Sequence, residues 1–309
     1  MPGAWSKVAL LAAGTVAATG AACVGYGILV ERDWYRLRRQ RVEALEPGRP
    51  PLTVLHLSDL HLTAADTRRI AFLERLAGEQ VDLVVLTGDM LGGPGGLDPV
   101  LEALGRFRPR LGAVAVLGSN DYWAPRFRNP LGYFLGPSSR RHRSSGRNPW
   151  RELVDGLEAR GWTVLSNRRG RLDDVELAGM DDPHIRRDDP GVAVPPDGAF
   201  SGGPGSSPPD PPRLRLGVVH SPYRRALDAF ERNGYGLLLA GHTHGGQVRL
   251  PGVGALVTNC DLPRDRVRGL SRWGASWLHV SAGLGTSRYA PFRFACRPEA
   301  SLLTVVPRA

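Results

Sequence analysis

The chain has 309 residues, 42% hydrophobic and 23% charged, values near the globular average that exclude a wholly disordered or fibrous protein. Three cysteines are too few for a disulfide framework, and no pair has the spacing of a zinc ribbon. Of the 40 basic residues only Lys7 is a lysine. The formal net charge of +10 fits nucleic acid, a membrane surface or a phosphorylated substrate, so charge alone does not choose a partner.

The first element in chain order is an uncharged segment from Val8 to Val30. Its 23 residues can form a helix of about 34 Å, enough to span the hydrocarbon core of a bilayer. We predict an uncleaved single-pass anchor, with a cleaved signal peptide and a buried N-terminal helix as the alternatives. By the positive-inside rule, the arginines after the segment place the following domain in the cytoplasm and the protein in the cell membrane. These arginines are Arg32, Arg36, Arg38, Arg39 and Arg41.

We therefore assign residues 1–45 to the anchor with its basic flank and residues 50–309 to one folded domain. Within the domain, short apolar runs alternate with amphipathic stretches. The predicted strands are Leu52–Leu57, Leu83–Thr87, Ala113–Leu117, Thr163–Leu165, Val175–Ala178, Leu214–Val219, Gly236–Ala240, Gln247–Leu250, Trp277–Ser281 and Leu302–Val306. The predicted helices are Thr67–Glu79, Val100–Arg106, Trp150–Ala159 and Tyr223–Arg232. This α/β pattern favours two packed sheets with helices outside them.

Two stretches depart from this pattern. Residues 188–212 contain eight prolines and five glycines, which predicts a mobile surface excursion. Residues 124–150 contain six arginines, no acidic residue and an apolar group, which is typical of a cap over a site or of a membrane-contacting loop. Its arginines are interpreted first as a solvated face, then as a site for an anionic lipid or phosphate, and last as a nucleic-acid site.

Short polar motifs follow five of the predicted strands. In an open α/β sheet the carboxyl ends of neighbouring strands face one crevice, so these motifs are expected to converge. Carboxylate with imidazole suits divalent Mn, Fe, Zn or Co better than Ca or Mg. A carboxylate from a second strand can bridge two such ions ~3.5–4 Å apart, as in in-line phosphoryl displacement. The motifs are Ser58-Asp59-Leu60-His61, Gly88-Asp89, Gly118-Ser119-Asn120-Asp121, His220, and Gly241-His242-Thr243-His244-Gly245-Gly246.

The order of these five motifs resembles the calcineurin-like metallophosphoesterase superfamily over about residues 50–309. The run GHTHGGQ at 241–247 and the stretch Gly283–Ser287 are similar to the bacterial membrane-anchored branch of that superfamily. That branch is named after a transmembrane protein with a metallophosphoesterase domain, and it is related to phosphoesterases that act on UDP-diacylglucosamine and phospholipids. The resemblance implies a four-layer α/β/β/α sandwich after one transmembrane helix, and a hydrolase of phosphoric esters.

The resemblance also implies roles. Asp59, His61 and His244 would hold one divalent ion, His220 and His242 a second, and Asp89 would bridge them while a shared hydroxide attacks phosphorus in line. The expected substrate is a phosphoester or pyrophosphate, membrane-associated or a nucleotide-linked lipid. Nucleic acid is not expected, and no protein partner is inferred. The residues assigned to catalysis are Asp89, Asn120, Asp121 and His220.

One motif departs from the family form Gly-Asn-His-Asp/Glu. An ungapped alignment puts Ser119 in the asparagine position, whereas a shift of one residue keeps Asn120 as the ligand, which we favour because its carbonyl can bind a hard cation. Either way the usual histidine is missing, so the leaving group is protonated from elsewhere or needs less protonation. The alternative function is a catalytically weak or inactive metal-binding scaffold of the same fold. The remaining histidines, expected outside the ligand set, are His56, His142, His184 and His279.

Overall fold

Two six-stranded β-sheets pack face to face at the centre of the protein. The computed structural model describes residues 4–125, 146–195, 212–286 and 289–308. Their strands are β1 Arg36–Leu45, β2 Leu52–Leu57, β3 Leu83–Thr87, β4 Gly112–Val116, β5 Trp162–Val164, β6 Arg168–Leu172, β7 Val175–Met180, β8 Leu214–Val219, β9 Leu237–Ala240, β10 Arg249–Leu250, β11 Gly254–Ala255, β12 Gly269–Trp273, β13 Ser276–Val280 and β14 Glu299–Pro307. The helices are α1 Ala4–Leu29, α2 Thr67–Ala77, α3 Leu97–Leu104, α4 Ser119–Tyr122, α5 Trp150–Glu158 and α6 Arg224–Arg232.

The sheet order brings the strands that end in polar motifs to the middle of each sheet. The first sheet runs β1-β14-β2-β3-β4-β5 and the second β12-β13-β9-β8-β7-β6. Strands β2 to β5 are parallel to one another, as are β7, β8, β9 and β13. Because parallel strands end on the same edge, the loops after β2, β3, β4, β8 and β9 can meet.

Three apolar layers hold the sandwich together. Side chains such as Val85 and Leu239 fill the space between the two sheets. Helices α2, α3 and α5 cover the outer face of the first sheet, and α6 covers that of the second. The central strands are buried on both faces, which is why they are continuous apolar runs in the sequence. The predicted α/β/β/α sandwich is confirmed.

The strand predictions hold best in the sheet centre. The bounds of β2, β3 and β8 are as predicted, whereas the strand expected at Gln247–Leu250 shrinks to the two residues of β10. The sequence pattern gave no signal for β1, β6 or β12, which lie at sheet edges. Edge strands face solvent along one side and tolerate arginine, so they lack the apolar run that marks a central strand.

The basic flank that was assigned to the anchor contains strand β1 of the folded domain. This strand pairs in parallel with β14 from Arg36 opposite Glu299 to Leu45 opposite Pro307. The Arg36 guanidinium lies 2.7 Å from the buried Glu299 carboxylate. Residues 36–45 therefore form part of the first sheet, and most of the arginines counted for membrane orientation lie on this strand.

Helix α1 covers the segment predicted to be an anchor. By length and apolar composition the region Leu10–Asp33, most of which lies in α1, can cross a membrane, a test that a signal sequence near an N-terminus also passes. Apolar side chains such as Leu10 and Val16 are more than two-thirds exposed. Near its C-terminal end, the Tyr26 ring meets Phe294 edge to face with centroids 6.3 Å apart. The helix end therefore contacts the folded domain while the rest presents an apolar surface.

The two atypical stretches are only partly described. In the proline-rich stretch, Pro190–Ala193 form a short 3-10 helix, and residues 196–211 lie outside the described residues. In the arginine-rich stretch, residues 126–145, including His142, also lie outside them. The predictions of a mobile excursion and of a basic cap stay predictions.

Candidate metal centre

The predicted site residues converge at the carboxyl edges of the two sheets. Two groups of side chains each place their ligand atoms within 4.8 Å of one another: Asp59 with His61 and His244, and Asp59 with Asp89 and His220. The Asp89 carboxylate of the second group lies 3.4 Å from Nε2 of His220 in its own group and 3.6 Å from Nε2 of His61 in the first. Ligand atoms about 2.1 Å from one ion are roughly 3.0–3.4 Å apart in octahedral or tetrahedral geometry. The spacing fits ligands that surround metal ions.

Hydrogen bonds to backbone carbonyls set the tautomers of two candidate ligand histidines. Nδ1 of His220 lies 2.6 Å from the Thr87 carbonyl, and Nε2 of His242 lies 3.1 Å from the Asn259 carbonyl. A carbonyl only accepts, so these nitrogens donate and the neutral rings keep lone pairs on His220 Nε2 and His242 Nδ1. Those two atoms face each other at 3.3 Å. Two facing lone pairs repel unless a proton or a metal cation lies between them, so the pair can hold either one.

The first group, Asp59 with His61 and His244, also fits a metal ion. In the tautomer in which Nδ1 of His244 donates to the Gly285 carbonyl, 3.2 Å away, the lone pair is on Nε2, 3.7 Å from the Asp59 carboxylate. Among the described residues, the buried Nε2 of His61 has no hydrogen-bond partner. Buried polar atoms are almost always paired, and a bound ion satisfies this one. The residues present fit divalent cations.

Backbone conformation aims these side chains. Asp59, His61, Asp89, His242 and His244 all have positive φ angles, between 42° and 67°. Residues other than glycine rarely adopt this left-handed region, and each costs of order 1–3 kcal/mol unless its surroundings impose it. The turns direct the side chains of each motif toward one point. The backbone strain is thus a consequence of placing the candidate ligands together.

Two glycines allow the motif loops to approach one another. A Cβ atom on Gly118 would lie 2.7 Å from the backbone nitrogen of Asp89, and one on Gly241 would lie 2.7 Å from an Asp59 carboxylate oxygen. Real Cβ atoms do not come so close to such atoms, so a side chain at either position would push a ligand loop away.

Asn120, and not Ser119, lies against the central carboxylate. The backbone N–H of Asn120 donates to Asp89 Oδ1 at 2.8 Å, and its side-chain Nδ2 lies 2.6 Å from Asp89 Oδ2. Rotation of the amide by 180° exchanges nitrogen for oxygen, so the same side chain can offer a carbonyl oxygen to an ion beside Asp89. The geometry favours Asn120 as the ligand from this motif.

Asp121 acts on the backbone of the site. Its fully buried carboxylate accepts hydrogen bonds from the N–H groups of Gly118, Asp89, Met90 and Leu91 at 2.8–3.1 Å. Both oxygens are occupied by these donors. Asp121 therefore ties the loop after β3 to the loop after β4 and fixes the position of Asp89.

The electrostatics of the centre favour cation binding. Burial lowers the pKa of His61 to about 4, so the ring is neutral at pH 7 and able to bind a metal. Burial raises the pKa of Asp59 to about 6, and the Asp89 carboxylate adds to the rise. Burial lowers the pKa of His220, but the combined attraction of the Asp89, Asp182 and Asp59 carboxylates outweighs it and raises the pKa well above 6.5. The buried negative charge thus attracts a proton, which a divalent cation can replace.

Arg293 contacts the candidate metal centre, and the sequence did not predict this role. Its side chain is fully buried, and Nη2 donates to the carbonyls of Ala282 and Gly285 at 2.7 and 2.6 Å. The same nitrogen lies 3.4 Å from Nδ1 of His244. In a chain so rich in arginine, no local signal distinguishes this one from the exposed majority.

The other histidines that the structure describes, His56, His184 and His279, occupy two kinds of position. His56 and His279 lie in strands, as predicted, and face each other with their Nδ1 atoms 2.8 Å apart. His184, expected to be a loop residue with substrate contact as the minority interpretation, is buried with its ring centroid 4.4 Å from that of His242. Its Nδ1 lies 3.0 Å from the Tyr223 hydroxyl. His184 thus packs against a candidate ligand.

A cavity of about 460 Å³ opens beside the centre, and His61 and Asn120 are in its wall. The loop Gly92–Gly95 and the side chains of Arg32 and Arg69 line other parts of it. This volume lies within the range of small-molecule sites.

Residues 52–246 match the family model described as calcineurin-like phosphoesterase. The uncharacterised metallophosphoesterase YkoQ of Bacillus subtilis is 28% identical over 261 residues, 82% of this chain and 83% of that protein. The phosphodiesterase YaeI of Escherichia coli is 28% identical over 303 residues, 94% of this chain and 96% of that protein. A transmembrane protein with metallophosphoesterase domain from Bos taurus is 27% identical over 226 residues, 71% of this chain and 46% of that protein.

The family match spans more than half of the chain and contains every strand end that carries a candidate ligand. Together with the cluster of carboxylates and imidazoles, it shows that this chain belongs to the calcineurin-like phosphoesterase family and is a hydrolase of phosphoric esters.

Proposed function

We propose that the protein is a dinuclear-metal phosphoesterase that cleaves a phosphoester or pyrophosphate bond by in-line displacement at phosphorus. The observation that carries the proposal is the facing pair of ring nitrogens on His220 and His242, next to a carboxylate that also reaches His61. One divalent ion would be held by Asp59, His61, Asp89 and His244, and the other by Asp89, Asn120, His220 and His242. Mn, Fe, Zn and Co suit this mixture of oxygen and nitrogen ligands.

Two bound cations supply a water molecule of lowered pKa and neutralise the phosphoryl oxygens. The chain's own residues hold the geometry for this step. Asp121 fixes the Asp89 loop through four backbone N–H groups, and the Thr87 carbonyl orients His220. The residue after Asn120 is an aspartate committed to the backbone, so this motif offers no histidine to protonate the leaving group. The arrangement therefore favours substrates whose leaving group is stable as an anion.

For the substrate, we propose a membrane-associated molecule, either a phospholipid or a nucleotide-linked lipid pyrophosphate such as a UDP-diacylglucosamine-like compound. Support comes from the apolar helix α1, whose end packs beside the loop that carries Arg293, and from the names of relatives, one a phosphodiesterase and one a transmembrane protein. We propose a single-pass protein of the cell membrane with the domain in the cytoplasm. A reporter fused after Ala309 tests this topology, because active alkaline phosphatase there would place the domain outside.

Turnover of bis-p-nitrophenyl phosphate tests the proposed chemistry. The full-length protein in detergent is used, because removing the anchor with its flank would also remove β1. We expect Mn²⁺-dependent hydrolysis that falls by at least about 10³-fold in Asp89→Asn, because the central carboxylate would be lost. Asp98→Asn, an exposed change on α3, is the matched control and should keep parental activity. A parent that binds metal, shown by elemental analysis, but does not turn over would favour the non-catalytic scaffold.

A further inference from the structure

Arg32 lies where the N-terminal helix meets the folded domain. It follows the end of α1 by three residues, within a short 3-10 turn formed by Glu31–Asp33. The buried Glu31 carboxylate accepts hydrogen bonds from the backbone N–H groups of Ala295 and Cys296 at 2.9 and 2.5 Å. The turn is therefore fastened to the domain, and Arg32 has a fixed place relative to the metal centre.

That place is the wall of the cavity that His61 and Asn120 share. The cavity has a second arginine, Arg69, but its guanidinium is used within the protein. Arg69 donates to the carbonyls of Leu60 and His61 at 2.7 and 3.0 Å and pairs with Asp66 at 3.2 Å. Among the described residues the Nε atom of Arg69 also lacks a hydrogen-bond partner, so Arg32 differs from Arg69 in the contacts of its terminal guanidinium nitrogens.

The Arg32 guanidinium is weakly partnered among the described residues. Its Nε atom is buried and has no hydrogen-bond partner, and its contact with Asp33 is 3.7 Å, beyond hydrogen-bond distance. The Asp33 carboxylate also accepts a hydrogen bond from the Tyr35 hydroxyl at 3.1 Å and faces Arg68 at 3.8 Å. A guanidinium carries five N–H donors, so Arg32 retains donors for a ligand.

We propose that Arg32 binds a second, non-scissile phosphate of the substrate while the metal centre holds the phosphate that is cleaved. This inference rests on the proposed function and names its substrate class, a pyrophosphate. A planar guanidinium binds phosphate oxygens in pairs, and a cavity of about 460 Å³ has room for two linked phosphates beside His61. Because Arg32 lies next to the end of the apolar region Leu10–Asp33, the bound phosphate lies where a lipid-linked pyrophosphate would meet the protein.

Kinetics on substrates with one or two phosphates test the proposal. Full-length protein in detergent with Mn²⁺ is assayed on bis-p-nitrophenyl phosphate, on ADP-ribose, and on CDP-dioleoylglycerol in mixed micelles. In Arg32→Gln we expect the ratio of pyrophosphate to bis-p-nitrophenyl phosphate kcat/KM to fall about 10–100-fold, because hydrogen bonds to a charged group are lost. Arg32→Lys should recover part of the ratio. Activity confined to the lipid substrate identifies a lipid-linked pyrophosphate, and activity confined to ADP-ribose a soluble one.

Arg68→Gln is the matched control, because Arg68 faces the same Asp33 carboxylate but does not line the cavity. It should leave the ratio within twofold of the parent. Binding of ADP-ribose and CDP-dioleoylglycerol is measured in parallel by thermophoresis, independently of turnover. A parent that binds a pyrophosphate without any hydrolysis overturns the proposed function alone. Equal pyrophosphate affinity in the parent and Arg32→Gln, or no pyrophosphate binding by the parent, overturns the role of Arg32.

Discussion

Replacing Asp121 by asparagine removes half of the acceptors that hold the Asp89 loop. In the native protein one carboxylate oxygen accepts from the N–H groups of Met90 and Leu91, and the other from those of Asp89 and Gly118. The asparagine amide keeps one oxygen and turns an NH₂ group toward the other pair. Two buried backbone N–H groups then lose their acceptor and face a donor.

The expected cost follows from that count. Each buried N–H left without an acceptor costs about 1–3 kcal/mol, so two cost about 2–6 kcal/mol. At ~2–4 °C per kcal/mol for a domain of this size, Tm should fall by roughly 5–20 °C. Because Asp89 moves with its loop, we also expect Mn²⁺ to bind about 10–100-fold more weakly, as when groups that orient metal ligands are lost elsewhere.

Urea unfolding and calorimetric Mn²⁺ titration of Asp121→Asn measure both effects at pH 8. Asp98→Asn has the same chemical change at an exposed position and should stay within ~0.5 kcal/mol of the parent. Parental stability in Asp121→Asn would refute the hydrogen-bond count. Parental stability and metal affinity combined with lost turnover would instead make Asp121 a catalytic residue.

Three further predictions follow from the same geometry. Without a histidine after Asn120, kcat/KM should rise steeply with the acidity of the leaving group across aryl phosphodiesters, and a flat profile would contradict this. Chelation of the metal by EDTA should lower Tm and Mn²⁺ should restore it, with Mn²⁺ at 100 times Kd adding about 2.7 kcal/mol to the free energy of unfolding; a Tm unchanged by both treatments speaks against the centre. Glu299→Gln leaves Arg36 and Arg268 without their buried carboxylate, so the free energy of unfolding should drop by about 3–5 kcal/mol, and an unchanged urea midpoint would disprove it.

The interior of the fold could be read from the sequence because burial leaves a composition signal. Strands such as β3 and β8 are apolar on both faces, and their bounds agree with the prediction. Edge strand β1 could not be found in this way. Its arginines resemble the basic flank of an anchor, and only pairing with β14, more than 250 residues away, makes it a strand.

The identity of the candidate ligands was also a property of the sequence, since Asp and His directly after strand ends carry their chemistry wherever the chain brings them. The direction in which these side chains point was not a property of the sequence. It depends on left-handed turns at residues such as Asp59 and on the backbone carbonyls that fix the histidine tautomers. The same holds for Arg32 and Arg293, two among many arginines in sequence. Burial and distance single them out, and both arise only when segments far apart in the chain pack together.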